Sequence, residues 1–243
     1  LGIALSKQEK QILLIDADLG LGNLDILLGL SPDRTLQDLL NGQATTLDIV
    51  LEGPEGLTIL PAASGATEAE AWRPQDRYRL AEELGRLERG FDLILIDTGA
   101  GISSKILDFI LSSDRMLVVA VPEPTSIADA YAMVKVCCAE REDLEIGLLV
   151  NRARSPREAF ELYKKFNQIV HRFLGTSVFN AGYVLEDFAV EQATRNQQPV
   201  YLSNPNSPAS LCIEQLAKNL VPETIRRRGP GLFDRLMDRI IEE

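Results

Sequence analysis

Short runs of isoleucine, leucine and valine recur along this chain, and between them lie longer stretches whose apolar residues fall at helical spacing. A strand that is apolar at nearly every position has to be buried on both faces, and when such strands alternate with helices the sheet is parallel and covered on both sides. The candidate strands are residues 11–16 (QILLID), 57–62 (LTILPA), 91–97 (FDLILID), 115–122 (RMLVVAVP), 145–151 (EIGLLVN) and 177–184 (SVFNAGYV). The periodicity predicts helices over 75–88, 126–139, 155–173 and 208–220. Each opens near a Ser, Thr, Asp or Pro that can serve the unpaired amides of a first turn. The expected fold class is α/β, a doubly wound, mostly parallel sheet with helices on both faces.

The 243 residues, 45% of them hydrophobic, are enough for one sizeable core. Lys and Arg number 25 against 36 Asp and Glu, so the net charge of -11 repels a phosphate backbone, and no direct nucleic-acid partner is expected. Cys137 and Cys138 are adjacent on an expected helix, which suits reduced thiols better than a bridge between them. The lone histidine, His171, lies in a charged helical run without the partners that metal or triad chemistry needs, and reads as a surface residue. No apolar stretch approaches the roughly 20 residues of a membrane span, and the start carries no signal-peptide pattern, so a cytoplasmic protein is expected. The opening LGIALSKQEK reads as the end of an amphipathic helix. Residues 1–225 are expected to form one domain, followed over 226–243 by a basic linker, RRRGPG, and a last helix.

The chemistry is concentrated at strand ends. In LLIDADLGLGNLDILLGL an apolar strand delivers Asp16 and Asp18 at its carboxyl end, followed by Gly20, Gly22, Asn23 and Asp25. FDLILID ends in Asp97 and runs directly into TGAGIS. Open α/β sheets bind ligands beyond the carboxyl ends of their strands. An aspartate there can hold a hydrated Mg²⁺, and a glycine-rich turn lets backbone amides approach phosphate oxygens. Asp33 and Asp48 sit in ordinary turn or helix-start settings and are assigned structural roles.

On these residues the chain resembles the MinD/ParA family of deviant-Walker ATPases. LLIDADLGLGNLDILLGL is similar to its switch I segment, and LILIDTGAGIS to its Walker B strand and switch II. VVAVPEPTSIADAYAMVK, VNRARSPRE, GYVLEDFAV and NPNSPAS extend the likeness, most closely to the branch of flagellar-number regulators, FlhG and FleN. The resemblance implies a P-loop fold, ATP and Mg²⁺ as ligands, and an ATP-dependent homodimer. It implies that Asp18 orients or activates the attacking water, that Asp16 and Asp97 act on Mg²⁺, and that Thr98, Gly99 and Gly101 sense the γ-phosphate. Asn151 would hydrogen-bond adenine, with Arg152 and Asp187 in the nucleotide-binding set. Leu185 departs from the family, which often has proline before the acidic pair Glu186 and Asp187. The implied partners are an FlhF-type GTPase, components of the flagellar switch and the inner face of the cell membrane.

The family's lysine-bearing Walker A loop does not occur in these 243 residues. The expectation is that it precedes Leu1, since a doubly wound sheet without its central strand has two unpaired edges. A member that has lost ATP binding is the other explanation. At the far end, Leu232, Phe233, Leu236, Met237, Ile240 and Ile241 fall on one half of a helical wheel behind Arg226, Arg227 and Arg228. That pairing suits a helix lying in a membrane interface, docked on its own domain in one nucleotide state and released in another. Three readings stand open: an ATP-driven switch controlling flagellar number, a non-hydrolysing protein-binding module of the same fold, and a division-site ATPase.

Overall fold

The computed structural model describes residues 1–18, 22–34, 38–39, 41–61, 82–221 and 230–242; the side chains of Lys105, Ile240, Ile241 and Glu242 lie outside that description. By their contacts the residues form two units, Gly2–Ala100 with Glu223–Glu243, and Gly101–Pro222.

The first unit is built on β1 (Ile12–Asp16), β2 (Leu51–Glu52), β3 (Thr58–Leu60) and β4 (Leu93–Asp97) in the order β2-β3-β1-β4. β1 lies parallel to both neighbours, and β2 pairs antiparallel to β3. Ile12, Leu13 and Ile15 are all buried, which is why this strand reads as an unbroken apolar run. Around the sheet come α1 (Gly2–Ser6), α2 (Leu24–Leu28), α3 (Thr46–Ile49) and α4 (residues 82–88). Gly2, Ile3, Ala4 and Leu5 of α1 are buried, as the apolar end of an amphipathic helix should be. α3 opens on a capping box between Thr45 and Asp48, whose hydrogen bonds with Thr45 hold the Asp48 carboxyl below its ordinary range, in the structural role assigned to it.

The second unit holds a wholly parallel sheet, β5 (Arg115–Ala120), β6 (Glu145–Ala153) and β7 (Phe179–Leu185), in that order. Its helices are α5 (Ser104–Ser112), α6 (Pro124–Glu140), α7 (Pro156–Leu174), α8 (Phe188–Arg195), α9 (Val200–Ser203) and α10 (Pro208–Leu220). Val118, Val134, Leu148, Val150, Phe166 and Val170 form the centre of its core. Gly147 faces Phe179 across the β6–β7 ladder, and a Cβ there would overlap the Phe179 ring. The last helix, α11 (Leu232–Glu242), belongs with the first unit.

The architecture is the expected α/β one, with mainly parallel strands flanked by helices. The differences are local. α6 begins at Pro124 rather than at 126, because proline at the first helical position has the required φ already and needs no amide partner. Ser126 instead accepts the Val121 amide. β2, α2, α5, α8 and α9 are not among the expected elements. Of the expected helix over 75–88, the part before 82 lies outside the described residues, as do residue 62 of the second expected strand and Arg226, Arg227 and Arg228. The three cysteines are free thiols. Burial pushes the Cys137 thiol up to about 11, out of reach of ordinary thiolate chemistry.

Candidate active site

β1 and β4 are adjacent, parallel, and in register at Asp16 and Asp97, so the two acids leave the sheet side by side from one face. The Ala17 amide donates to the Asp97 carbonyl at 2.8 Å, one residue past the end of β1. Asp16 is 6% exposed, and its carboxylate accepts three backbone amides: Asp18 at 3.1 Å on Oδ1, and Asn23 at 3.0 Å and Leu24 at 3.3 Å on Oδ2. Asp18 lies over Gly99. A Cβ at Gly99 would sit 3.1 Å from one Asp18 oxygen and 3.3 Å from the other, so the bare glycine gives the carboxylate room that a side chain would narrow by a few tenths of an ångström. Asp97 reaches solvent, yet its carboxyl is held above the ordinary carboxylate range, first by desolvation and then by the negative charges of Asp16 and Asp18.

These acids do not make a metal cage by themselves. Among the described residues no group of three or more His, Cys, Asp or Glu side chains is arranged to hold a metal ion. Mg²⁺ does not require one: it keeps several waters and is held by one or two carboxylates together with phosphate oxygens. After Asp97 the chain runs through Thr98 and Gly99 to Gly101, whose φ of +104° favours glycine, and Ser103 then caps α5 by accepting the Ile106 amide.

Asn151, Arg152 and Asp187 lie in the second unit. The β6–β7 register breaks between Val150 and Ala153, and Arg152 sits in that break with φ +54°, a backbone conformation costly for a side chain of its size. The Asn151 Oδ1 accepts the Arg152 amide at 2.9 Å, and the Arg152 guanidinium pairs with Glu186 at 3.1 Å. Arg152, Arg154, Glu123, Glu158 and Glu186 line a polar cleft of about 230 Å³. Asn151 is not in its lining. A larger hollow of about 560 Å³ includes Arg115, Glu145 and Phe179, at the amino ends of the same strands, the wrong end for ligand binding in an open α/β sheet. Asp187 caps two helices at once, accepting the Ala189 amide at 2.9 Å and the Ala209 amide at 3.0 Å. These bonds hold its carboxyl below the ordinary range.

Among the last six candidates, Leu232, Phe233, Leu236 and Met237 are buried, while the side chains of Ile240 and Ile241 lie outside the described residues. Glu88, at the end of α4, caps α11: its carboxylate accepts the Leu232 amide at 2.9 Å and the Phe233 amide at 3.4 Å. Sequence reasoning missed Glu88, which is 144 residues from its partner. Gly99, expected at the γ-phosphate, has its signal in the glycine-rich turn after Asp97 and meets Asp18 in the fold.

No protein-family model matches the chain. It is 33% identical over 242 residues, 100% of this chain and 86% of the relative, to the antiactivator FleN of Pseudomonas aeruginosa. The chain belongs to the MinD/ParA-type ATPases. The cell division ATPase MinD of Pyrococcus furiosus is 26% identical, with a TM-score of 0.73 over 90% of this chain and 89% of that one. The septum site-determining protein MinD of Pyrococcus horikoshii, solved with Mg-ADP, is 24% identical and has a TM-score of 0.71 over 90% and 86% of the two chains. The MinD/ParA likeness therefore runs through both units and includes both strands that end in acids. Among the described residues no helix is long and apolar enough to cross a membrane.

Proposed function

We propose that this chain is an ATP-driven switch: a Mg²⁺-dependent ATPase that dimerises with ATP bound, controls flagellar number and placement, and reaches the membrane through its C-terminal helix. The observation that carries the reading is the register of Asp16 with Asp97, with Asp18 resting on Gly99. Three acids gathered at two adjacent strand ends are an unfavourable arrangement without a cation: desolvation first, and then the charges of Asp16 and Asp18, raise the proton affinity of Asp97. The donor set, exposed carboxylate beside water-accessible loop, fits Mg²⁺ shared with phosphate oxygens.

In this reading Asp97 serves the cation, Asp18 orients the attacking water, and Thr98, Gly99 and Gly101 answer to the γ-phosphate. Asn151 takes the adenine, with Arg152 and Asp187 in support. When bound, Mg²⁺ neutralises the charge that develops in phosphoryl transfer, and the chain's own task is positioning. The likeness to an antiactivator of the FleN type supports the flagellar role, with an FlhF-type GTPase and the flagellar switch as partners. The buried face of α11 supports a docked form of the membrane helix.

The test is phosphate release by the full-length protein with and without Mg²⁺. Asp18→Ala is expected to keep ATP binding and to accumulate the dimer on gel filtration, with turnover down by about 10² or more, the usual worth of a group handling the attacking water. Turnover at the parent rate in that variant overturns the assignment.

A further inference from the structure

We infer that Asp16 is a positioning residue that builds the loop carrying Asp18, and is not itself a magnesium ligand; the inference rests on the ATPase reading above. Its carboxylate is 6% exposed and engaged on both oxygens by backbone amides. Oδ1 receives the Asp18 amide, which fixes the turn immediately after β1. Oδ2 receives the amides of Asn23 and Leu24, the N-cap and first residue of α2. Asn23 is a residue type that ordinarily caps with its own side chain, but here makes no such bond, so Asp16 serves the helix start from seven residues away. One buried carboxylate thus serves both the turn after β1 and the start of α2.

A carboxylate offers about four lone-pair sites, and three amides already occupy Asp16. Direct ligation of Mg²⁺, at about 2.0–2.1 Å, would take the negative charge from those amides and loosen the loop that presents Asp18. Asp97, its partner in register, is exposed at the strand end and accessible to a hydrated cation without such a loss. The two acids therefore divide the work: Asp97 faces the cation, and Asp16 holds the Asp18 backbone where the Asp18 side chain meets Gly99.

The experiment is a Mg²⁺ titration of the full-length protein, read both as ATP turnover and, with no turnover, as the Mg²⁺ dependence of ADP binding by calorimetry, comparing Asp16→Asn with Asp97→Asn. Asp16→Asn replaces one acceptor oxygen by an NH₂ group facing amide donors. It is expected to lower kcat about tenfold or more, while KM for ATP and the half-saturating Mg²⁺ concentration stay within about twofold of the parent. Asp97→Asn is expected to raise half-saturating Mg²⁺ about tenfold. If Asp16→Asn does not fold, Asp16→Glu keeps the charge, displaces the carboxylate by one methylene and is read in the same way. A Mg²⁺ requirement that climbs in the Asp16 variant as far as in Asp97→Asn overturns the inference alone. A parent protein with no Mg²⁺-dependent turnover overturns the ATPase reading and this inference with it.

Discussion

The proton on Asp97 makes the acid cluster measurable without any nucleotide. Its carboxyl is raised by desolvation and by Asp16 and Asp18, so the folded chain holds that proton more tightly than the unfolded chain does. Whatever stability follows is fully present below the ordinary value of 3.8 and is lost as the pH rises through the raised one; at neutral pH the ionised Asp97 is a cost to the fold. Asp97→Asn removes that cost. In Mg²⁺-free buffer at pH 7.5 its melting temperature should exceed the parent's, and the gain should vanish on acidification through the carboxylate range. Water screens a side chain this exposed, so the gain is under about 1 kcal/mol, or within about 4 °C for a chain of this length. With Mg²⁺ and ATP the order should reverse, because the parent then gains the binding term and the variant does not. A variant less stable than the parent in Mg²⁺-free buffer would show that the three charges do not repel one another across this site.

Helix α11 is held at its amino end by an acid from a distant element. Glu88 takes the amides of Leu232 and Phe233, and the absence of a Cβ at Gly231 allows the approach, since one there would lie 2.6 Å from a Glu88 oxygen. Losing a side-chain cap costs about 1 kcal/mol, so Glu88→Ala should speed amide hydrogen exchange across 232–242 about fivefold and leave β6 unchanged. Unaltered exchange in that helix would remove Glu88 from the docking account. The same helix shows what a sequence can and cannot disclose. Its apolar stripe was legible, as was β1, because burial on one stripe or on both faces forces a pattern on side chains. The Asp16, Asp18 and Asp97 positions were legible because a charge directly after an apolar run stands out. Backbone amides leave no such mark, which is why the donors around Asp16 and the capping of α11 by Glu88 emerged only in three dimensions. β2 has two residues and no period to detect, and Arg152 entered its left-handed conformation without a glycine to announce it.

For the molecule as a whole, net charge and the docked tail pull against membrane binding together. A chain of charge -11 is repelled by an anionic surface, and the local Arg226, Arg227 and Arg228 cluster offsets only part of that. Leu232, Phe233, Leu236 and Met237 are already buried, and each such side chain is worth roughly 1.5–3 kcal/mol of burial, so a bilayer offers α11 little that its own unit does not. Membrane binding therefore needs a second event that makes docking less favourable. Shifting a docked to released ratio from about 1:99 to 99:1 requires roughly 5.5 kcal/mol of differential binding, which the proposed ATP-bound dimer would have to supply. With phosphatidylglycerol vesicles the full-length protein should stay in the supernatant without nucleotide and sediment with ATP. Deleting residues 232–243 should abolish the ATP-dependent fraction. Equal sedimentation with and without ATP would show that docking does not restrain α11. Sedimentation that survives the deletion would move the membrane contact to another surface.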